Sequence, residues 1–415
     1  MRIKDFGQVV TGKTPSTNDP NNFIGNIPFA TPADIAKGFI IHDTERHISE
    51  KGFSSIINQT FDGPSVMVGC IGSDMGNVAI SLKRFASNQQ INTITNFKNI
   101  ANPFFVYYYL STKKEYLQGM AGSTATPLLP KSDFENIDIP LPDRAEQDRI
   151  TDCLMTIDYS IQNNDTICTN LEAMAKLLYD YWFVQFDFPD ENGKPYKSSG
   201  GKMVWNKELK REIPEGWYIS NLEPFIKVIR GVSYNPDMIS ETPQDGYVPL
   251  VKSNNVQNDR LMLDDVIFVP QSIVSNDQYL TDNSIFVTMS SGSTEHVGKT
   301  AIITFDTPYC FGAFCSRIMV NPEYRCFVSL FFLSEYFKKH IRSIIVGTSI
   351  KNINNNHLID NVIAIPPEHV LQRFESIINP LFDKQGSIIQ ENQQLKSLRD
   401  FLLPMLMNGQ VKVKN

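Results

Sequence analysis

The sequence predicts an α+β chain built from two repeated mixed domains, each followed by a long helix, with the two helices paired against each other. Three observations lead there: an internal repeat, a heptad seam in mid-chain, and a second such seam near the C-terminus.

The repeat has a period of roughly 220–225 residues. Phe6 through Gly12 (FGQVVTG) matches Phe225 through Gly231 (FIKVIRG), and Ile27-Pro28-Phe29 through Asp34-Ile35 matches Val248-Pro249-Leu250 through Asn255-Val256. Gly76 through Ile80 matches Gly298 through Ile302, and Phe104 through Leu110 matches Phe327 through Leu333. Gly122-Ser123-Thr124 matches Gly347-Thr348-Ser349, and Ile139-Pro140 matches Ile365-Pro366. Within each copy, short β-type runs (Ser65–Val68, Val78–Ser81, Ile91–Thr95; Ser284–Met289, Thr300–Phe305) alternate with Gly, Asn, Asp and Ser turns. One helix fits Phe104–Gln118, and its counterpart fits Phe327–Ile344.

In the mid-chain seam, Ile150, Leu154, Ile157, Ile161, Cys168, Leu171, Ala175, Leu178 and Trp182 fall at alternating steps of four and three, with Asn164 in the gap. Sustained for about five heptads, this pattern makes a rod of roughly 55 Å that needs a partner helix along its seam. The partner seam reads Val370, Phe374, Ile377, Leu381, Ile388, Leu395, Leu398, Leu402 and Met405, with Lys384 and Glu391 in seam positions. Pro380 is expected to kink or interrupt that helix. The expected organisation is therefore a first domain over 1–145, a helix over 146–185, a linker over 186–216, a second domain over 217–367 and a final helix over 368–415. The linker reading rests on a Gly-, Pro-, Ser- and Lys-rich composition without apolar periodicity; its lysines and Arg211 could touch phosphate.

At 415 residues, 41% hydrophobic and 20% charged, the chain has room for two cores and the composition of a globular protein. No run is long and apolar enough for a membrane span, and Met1 through Asp5 starts no signal peptide. Six cysteines without a CxxC pair suggest reduced thiols and a cytoplasmic location. A net charge of −7 argues against bulk attraction to nucleic acid but leaves room for local basic patches.

Candidate catalytic motifs fail on context. Ser293 through Thr300 (STEHVGKT) nearly spells a phosphate loop, but Ser293 replaces the first glycine and a β-type run follows where a helix is required. Asn102-Pro103-Phe104-Phe105 lacks the second proline of an amino-methyltransferase loop, and Pro189-Asp190-Glu191 has no Glu-x-Lys partner for a nuclease. The histidines show no metal spacing. The sequence nominates no enzyme and no metal site. What remains is one scaffold with matched apolar frames and different turns, the pattern of a reader with two specificities.

The central segment Phe186 through Trp217 resembles the linker of the specificity subunits of type I restriction–modification enzymes, and the resemblance extends over essentially the whole chain. Thr11 through Ser16 (TGKTPS) resembles the turn that opens their recognition domains, and Ile139 through Pro142 with Glu146-Gln147 resembles the entry to their conserved helices. Leu395 through Gly409 is similar to their closing helix. The second copy departs from the pattern at Val232-Ser233-Tyr234 and Leu371-Gln372.

The resemblance implies two target-recognition domains reading the halves of a bipartite double-stranded DNA target, with the helices packed as an antiparallel coiled coil that sets the unread spacer. At roughly 3.4 Å per base pair, the rod spans at most some 16 base pairs. It also implies two methyltransferase subunits using S-adenosylmethionine and ATP- and Mg-dependent restriction/translocase subunits as partners, with no cofactor and no catalysis in this chain. Contact chemistry nominates Lys13, Thr14, Ser73, Asn77, Thr124 and Lys131 in the first domain. In the second it nominates Arg230, Ser233, Lys252, Asn254, Ser291, Lys299 and Lys351. The rival readings are a duplicated adaptor without a DNA role and an NTPase using Gly298-Lys299-Thr300.

Overall fold

The computed structural model describes residues 1–36, 38–72, 74–121, 127–263, 265–292, 295–346 and 352–413. The chain forms two compact units, Met1–Asn163 with Asn392–Asn415, and Asn164–Glu391. Among the described residues, no helix is long and apolar enough to cross a membrane.

The first unit is built on strands β1 (Gln8–Thr11), β2 (Ile27–Ala30), β3 (Ser65–Gly69), β4 (Val78–Ser81), β5 (Phe85–Ser87) and β6 (Ile91–Thr95). Its main sheet runs in the order β1-β6-β3-β4 with every pair antiparallel. Residues of β3 and β6 are buried on both faces, as continuous apolar and β-branched runs demand when both sides are covered. The helix Pro103–Ser111 covers one face, its Asn102 side chain capping the Phe104 N–H at 2.9 Å. On the other side, β2 pairs with β5 in parallel.

The second unit repeats this plan. Its strands are β7 (Ile226–Arg230), β8 (Tyr247–Val251), β9 (Ser284–Thr288), β10 (Thr300–Ile303), β11 (Cys310–Phe311) and β12 (Cys315–Val320), with sheet order β7-β12-β9-β10 and β8 parallel to β11. The repeat therefore holds at the level of topology and strand register. Gly12 and Gly231 show why both copies keep a glycine: a Cβ there would lie 2.2 Å from the carbonyl oxygens of Asn88 and Gly312, respectively. Each expected domain helix divides in two, as Pro103–Ser111 and Lys114–Met120, and as Arg325–Leu333 and Glu335–Val346. In the second copy the break falls at Ser334, which is extended and caps the Phe337 N–H at 3.2 Å, starting a new helix.

The two long helices are Arg144–Tyr179, which continues as a π-turn through Val184, and Glu368–Met407. In the first unit, Ile150 and Leu154 share a core with Leu402, Leu406 and Met407. In the second, Tyr179, Trp182 and Phe183 pack on Phe374, and Gln385 donates to Glu172 at 2.6 Å. Rising numbers on one helix meet falling numbers on the other, so the pair is antiparallel in each unit.

The seam of the central helix is as expected: Ile150, Leu154, Ile157, Ile161, Asn164, Cys168 and Ala175 are buried, while Leu171 and Leu178 are half-buried. The seam expected for the C-terminal helix is displaced by one residue over much of its length. Ile377 is 40% exposed and Leu398 46%, whereas Ile378 is fully buried and Arg399 reaches the buried Asp158. Val370, Phe374 and Ile388 are buried, and Leu381, Leu395, Leu402 and Met405 are half-buried. The displacement arises because polar residues occupy the true seam. Gln385 and Asn392 face inward where the apolar pattern pointed to Lys384 and Glu391, both of which are exposed. The helix runs on through Pro380, which lies on its exposed face, so Pro380 does not interrupt it.

Residues 186–217 connect the repeats in sequence but are folded rather than a solvated linker. Met203–Asn206 and Arg211–Pro214 form a hairpin, and Phe186, Phe188, Ile213 and Trp217 are buried. The Asp187 carboxylate accepts the Ser198 N–H at 2.7 Å and hydroxyl at 2.6 Å. The aromatic residues that anchor the segment follow no regular period, so its composition alone suggested a loop. Its basic residues are partly committed: Lys202 pairs with Glu215, and Arg211 stacks over Phe186 while donating to the Val184 carbonyl.

Candidate nucleic-acid interface

In the antiparallel order β1-β6-β3-β4, the end of β1, the start of β6, the end of β3 and the start of β4 lie at one edge of the sheet: Thr11 faces Asn92, and Val68 faces both Asn92 and Val78. The loops leaving this end carry most of the nominated residues of the first unit. Lys13 is exposed just past β1, and Thr14 donates to the Gln89 side chain at 3.0 Å. Asn77 is half-buried and accepts from Lys114 at 2.9 Å, so it positions a neighbouring cation. The segment beyond the second short helix returns to the same edge, where the Leu129 N–H donates to the Cys70 carbonyl. It places Lys131 at the start of the Lys131–Glu135 helix, exposed and 3.4 Å from Glu135. Ser73 and Thr124 lie outside the described residues.

The second unit gathers its nominated residues in the same way. Arg230 ends β7 opposite Ser316 and is exposed, as is Ser233 beyond it. Lys252 and Asn254 follow β8, whose Val251 carbonyl accepts the Gly312 N–H at 3.1 Å. Ser291 and Lys299 sit in the β9–β10 turn, both half-buried, with Lys299 Nζ 3.1 Å from His296 Nδ1. Lys351 lies outside the described residues. The described part of the near-phosphate loop, residues 295–299, has Gly298 in the left-handed region and leads into the strand β10, where a phosphate loop would open a helix. Among the described residues, no group of three His, Cys, Asp or Glu side chains could hold a metal ion.

One element at this end escaped sequence reasoning: the three-residue turn between β5 and β6, Asn88-Gln89-Gln90, and its counterpart Gly312-Ala313-Phe314 between β11 and β12. The two turns share four backbone hydrogen bonds. Asn88 and Gly312 donate to Ala30 and Val251; Ile91 and Cys315 donate to Asn88 and Gly312. Gly12 and Gly231 donate to Ile91 and Cys315, and Cys70 and Met289 donate to Gln90 and Phe314. The backbone is the same while the side chains differ completely. Aligning the repeats through this turn would have exposed the contrast.

Buried polar groups hold each domain to its helix. Gln147 accepts the Asn102 N–H at 2.8 Å in the first unit. Where the second copy lacks the Glu-Gln pair, Glu375, one turn later than Gln372, accepts the N–H groups of Cys326 and Phe327 at 2.9–3.0 Å. Burial raises its carboxyl, while these N–H donors at a helix N-terminus act in the opposite direction.

Residues 1–173 and 214–397 match the family described as type I restriction modification DNA specificity domain, once per repeat. The chain belongs to this family. It is similar over its whole length, at 28% identity, to the MjaIX type I restriction enzyme specificity subunit of Methanocaldococcus jannaschii, covering 93% of that protein. About half of it, 49%, is 30% identical to 45% of the EcoKI specificity subunit of Escherichia coli K12. In fold it resembles a crystal structure of a type I S subunit from M. genitalium, with a TM-score of 0.57, 16% identity, and coverage of 98% of this chain and 95% of that one. It is accordingly a type I specificity subunit, the DNA-recognition component of such a system rather than a catalytic one.

Proposed function

We propose that this specificity subunit reads a bipartite, asymmetric double-stranded DNA target, one half per unit, with the antiparallel helix pair setting the unread spacer. The observation that carries the reading is the duplicated sheet end: one backbone frame is presented twice, with Lys13, Thr14 and Asn88-Gln89-Gln90 on the first copy and Arg230, Ser233 and Gly312-Ala313-Phe314 on the second. Exposed cations suit phosphate positioning, and short polar side chains suit base edges. Two methyltransferase subunits dock on the chain and bring S-adenosylmethionine; restriction/translocase subunits bring the ATP- and Mg-dependent steps. Target adenines flipped from the stack are modified in those partners, in the cytoplasm.

Fluorescence anisotropy of the chain in complex with its methyltransferase, over a salt series on target duplex, tests the reading. Lys13→Ala and Lys131→Ala each weaken binding and reduce the salt slope by roughly one. Unchanged affinity and slope in both variants would remove the first sheet end from the interface.

A further inference from the structure

We infer that Phe314 is a specificity-determining residue of the second unit, reading a thymine through its C5-methyl group. The inference rests on the proposal that this sheet end faces DNA and adds the chemistry by which one position is read.

Phe314 is 68% exposed, the largest exposure of any phenylalanine among the described residues, and an isolated exposed ring brings no folding benefit to the chain itself. The backbone that carries it is held in place. Its carbonyl accepts two N–H groups, from Met289 at 2.9 Å and Ser290 at 3.1 Å, and the turn is closed by Cys315 donating to Gly312 at 2.8 Å. The backbone that presents the ring is thus set before binding, and only the ring's own rotations remain to be lost. The equivalent residue of the first unit, Gln90, has the same backbone bond, from Cys70 at 2.8 Å, but carries an amide engaged with Asn88 Nδ2 at 2.9 Å. Exposed Gln89 accepts from Thr14. The first copy thus presents hydrogen-bonding groups at this place, and the second presents Gly, Ala and Phe side chains that can make none.

The chemistry of base edges then selects the ligand. In the major groove the donor and acceptor pattern of A, G and C offers nothing to an apolar ring, whereas thymine presents a methyl group, for which phenylalanine is a fitting partner. A wedge pushed between base steps would also use an aromatic ring, but it would depend on unstacking and not on the methyl group.

The test uses the intact chain in complex with its methyltransferase, after its target has been read from the modified adenines. Duplexes carry deoxyuridine in place of each thymidine of the second half in turn, which removes only the methyl. One replacement should slow methylation about fourfold, the effect of one lost buried methyl. Phe314→Ala should slow the thymidine duplex similarly and abolish the difference between thymidine and deoxyuridine; Phe314→Leu should retain part of it. The melting temperature of both variants should match the parent, since the ring is exposed. A parent indifferent to deoxyuridine at every position of the second half, or a Phe314→Ala variant that still discriminates, would each overturn the assignment. Both would leave the two-half reading intact. Absence of any split motif would overturn that reading itself.

Discussion

Arg399 on the C-terminal helix donates to the Asp158 carboxylate of the central helix at 2.9 Å, and the Tyr108 hydroxyl donates to the same carboxylate at 2.6 Å. Asp158 is almost fully buried, so three segments of the first unit converge on one charge. Burial, and then the neighbouring carboxylate, raise the Tyr108 pKa, so that hydroxyl remains a donor at all ordinary pH. Removing one partner of a buried pair leaves an uncompensated charge. Because Arg399 is partly exposed, Arg399→Ala should destabilise by about 2 kcal/mol, below the full range for buried pairs. Urea unfolding of the intact chain measures it; a cost under about 0.5 kcal/mol would show the pair to be a surface ornament.

The phase of the C-terminal helix can be tested with adjacent residues of the same type. Ile378→Ala removes a fully buried side chain and should cost about 2–4 kcal/mol. Ile377→Ala, on the exposed side, should cost under about 1 kcal/mol. Comparable losses in the two variants would contradict the seam.

Asp259 supplies a pH dependence in the second unit. Burial alone would raise its carboxyl, but hydrogen bonds from Lys176 at 2.7 Å and Lys338 at 2.8 Å outweigh burial and hold it below the ordinary range. A depressed folded pKa gives stability that is present above the unfolded value, about 3.9, and is lost as pH falls through the folded one. The stability gap between the parent chain and Asp259→Asn should therefore be full at pH 7 and shrink below about pH 4. Urea midpoints across pH check this; a gap that widens in acid would reverse the sign.

Five of the six cysteines are buried, and burial pushes Cys70 and Cys168 up to about 11 and Cys310 and Cys315 up to about 12. Thiolate is the reactive form, so these thiols should resist alkylation at pH 8. Mass spectrometry should find label on Cys153 alone in the folded chain and on all six in denaturant. Rapid labelling of Cys310 or Cys315 would indicate that the second sheet opens.

The duplicated frame was legible because Gly12, Gly231 and the apolar strand residues are dictated by backbone proximity and burial in both copies. The central helix was legible because its seam from Ile150 to Ala175 is apolar but for Asn164. The phase of its partner was not, since the residues that face inward include the polar Gln385, Asn392 and Arg399, and Gln385 and Arg399 reach Glu172 and Asp158 far away in sequence. The folded segment after Phe186 was missed for a related reason: its anchors are four aromatic residues without a period. At the candidate interface, turn chemistry nominated Lys13, Arg230 and their neighbours. Phe314 was passed over because an apolar residue in sequence reads as core, and only the fold shows it outside.

The central claim is that each unit reads its own half of a split target, and modified-base sequencing of DNA from cells co-expressing the chain with its methyltransferase tests it most directly. The parent chain should give one split motif, methylated on opposite strands across a fixed spacer, and Gln89→Ala should relax bases in one half only. A continuous motif, no methylation by a stable complex, or relaxation of both halves by that single change would contradict it.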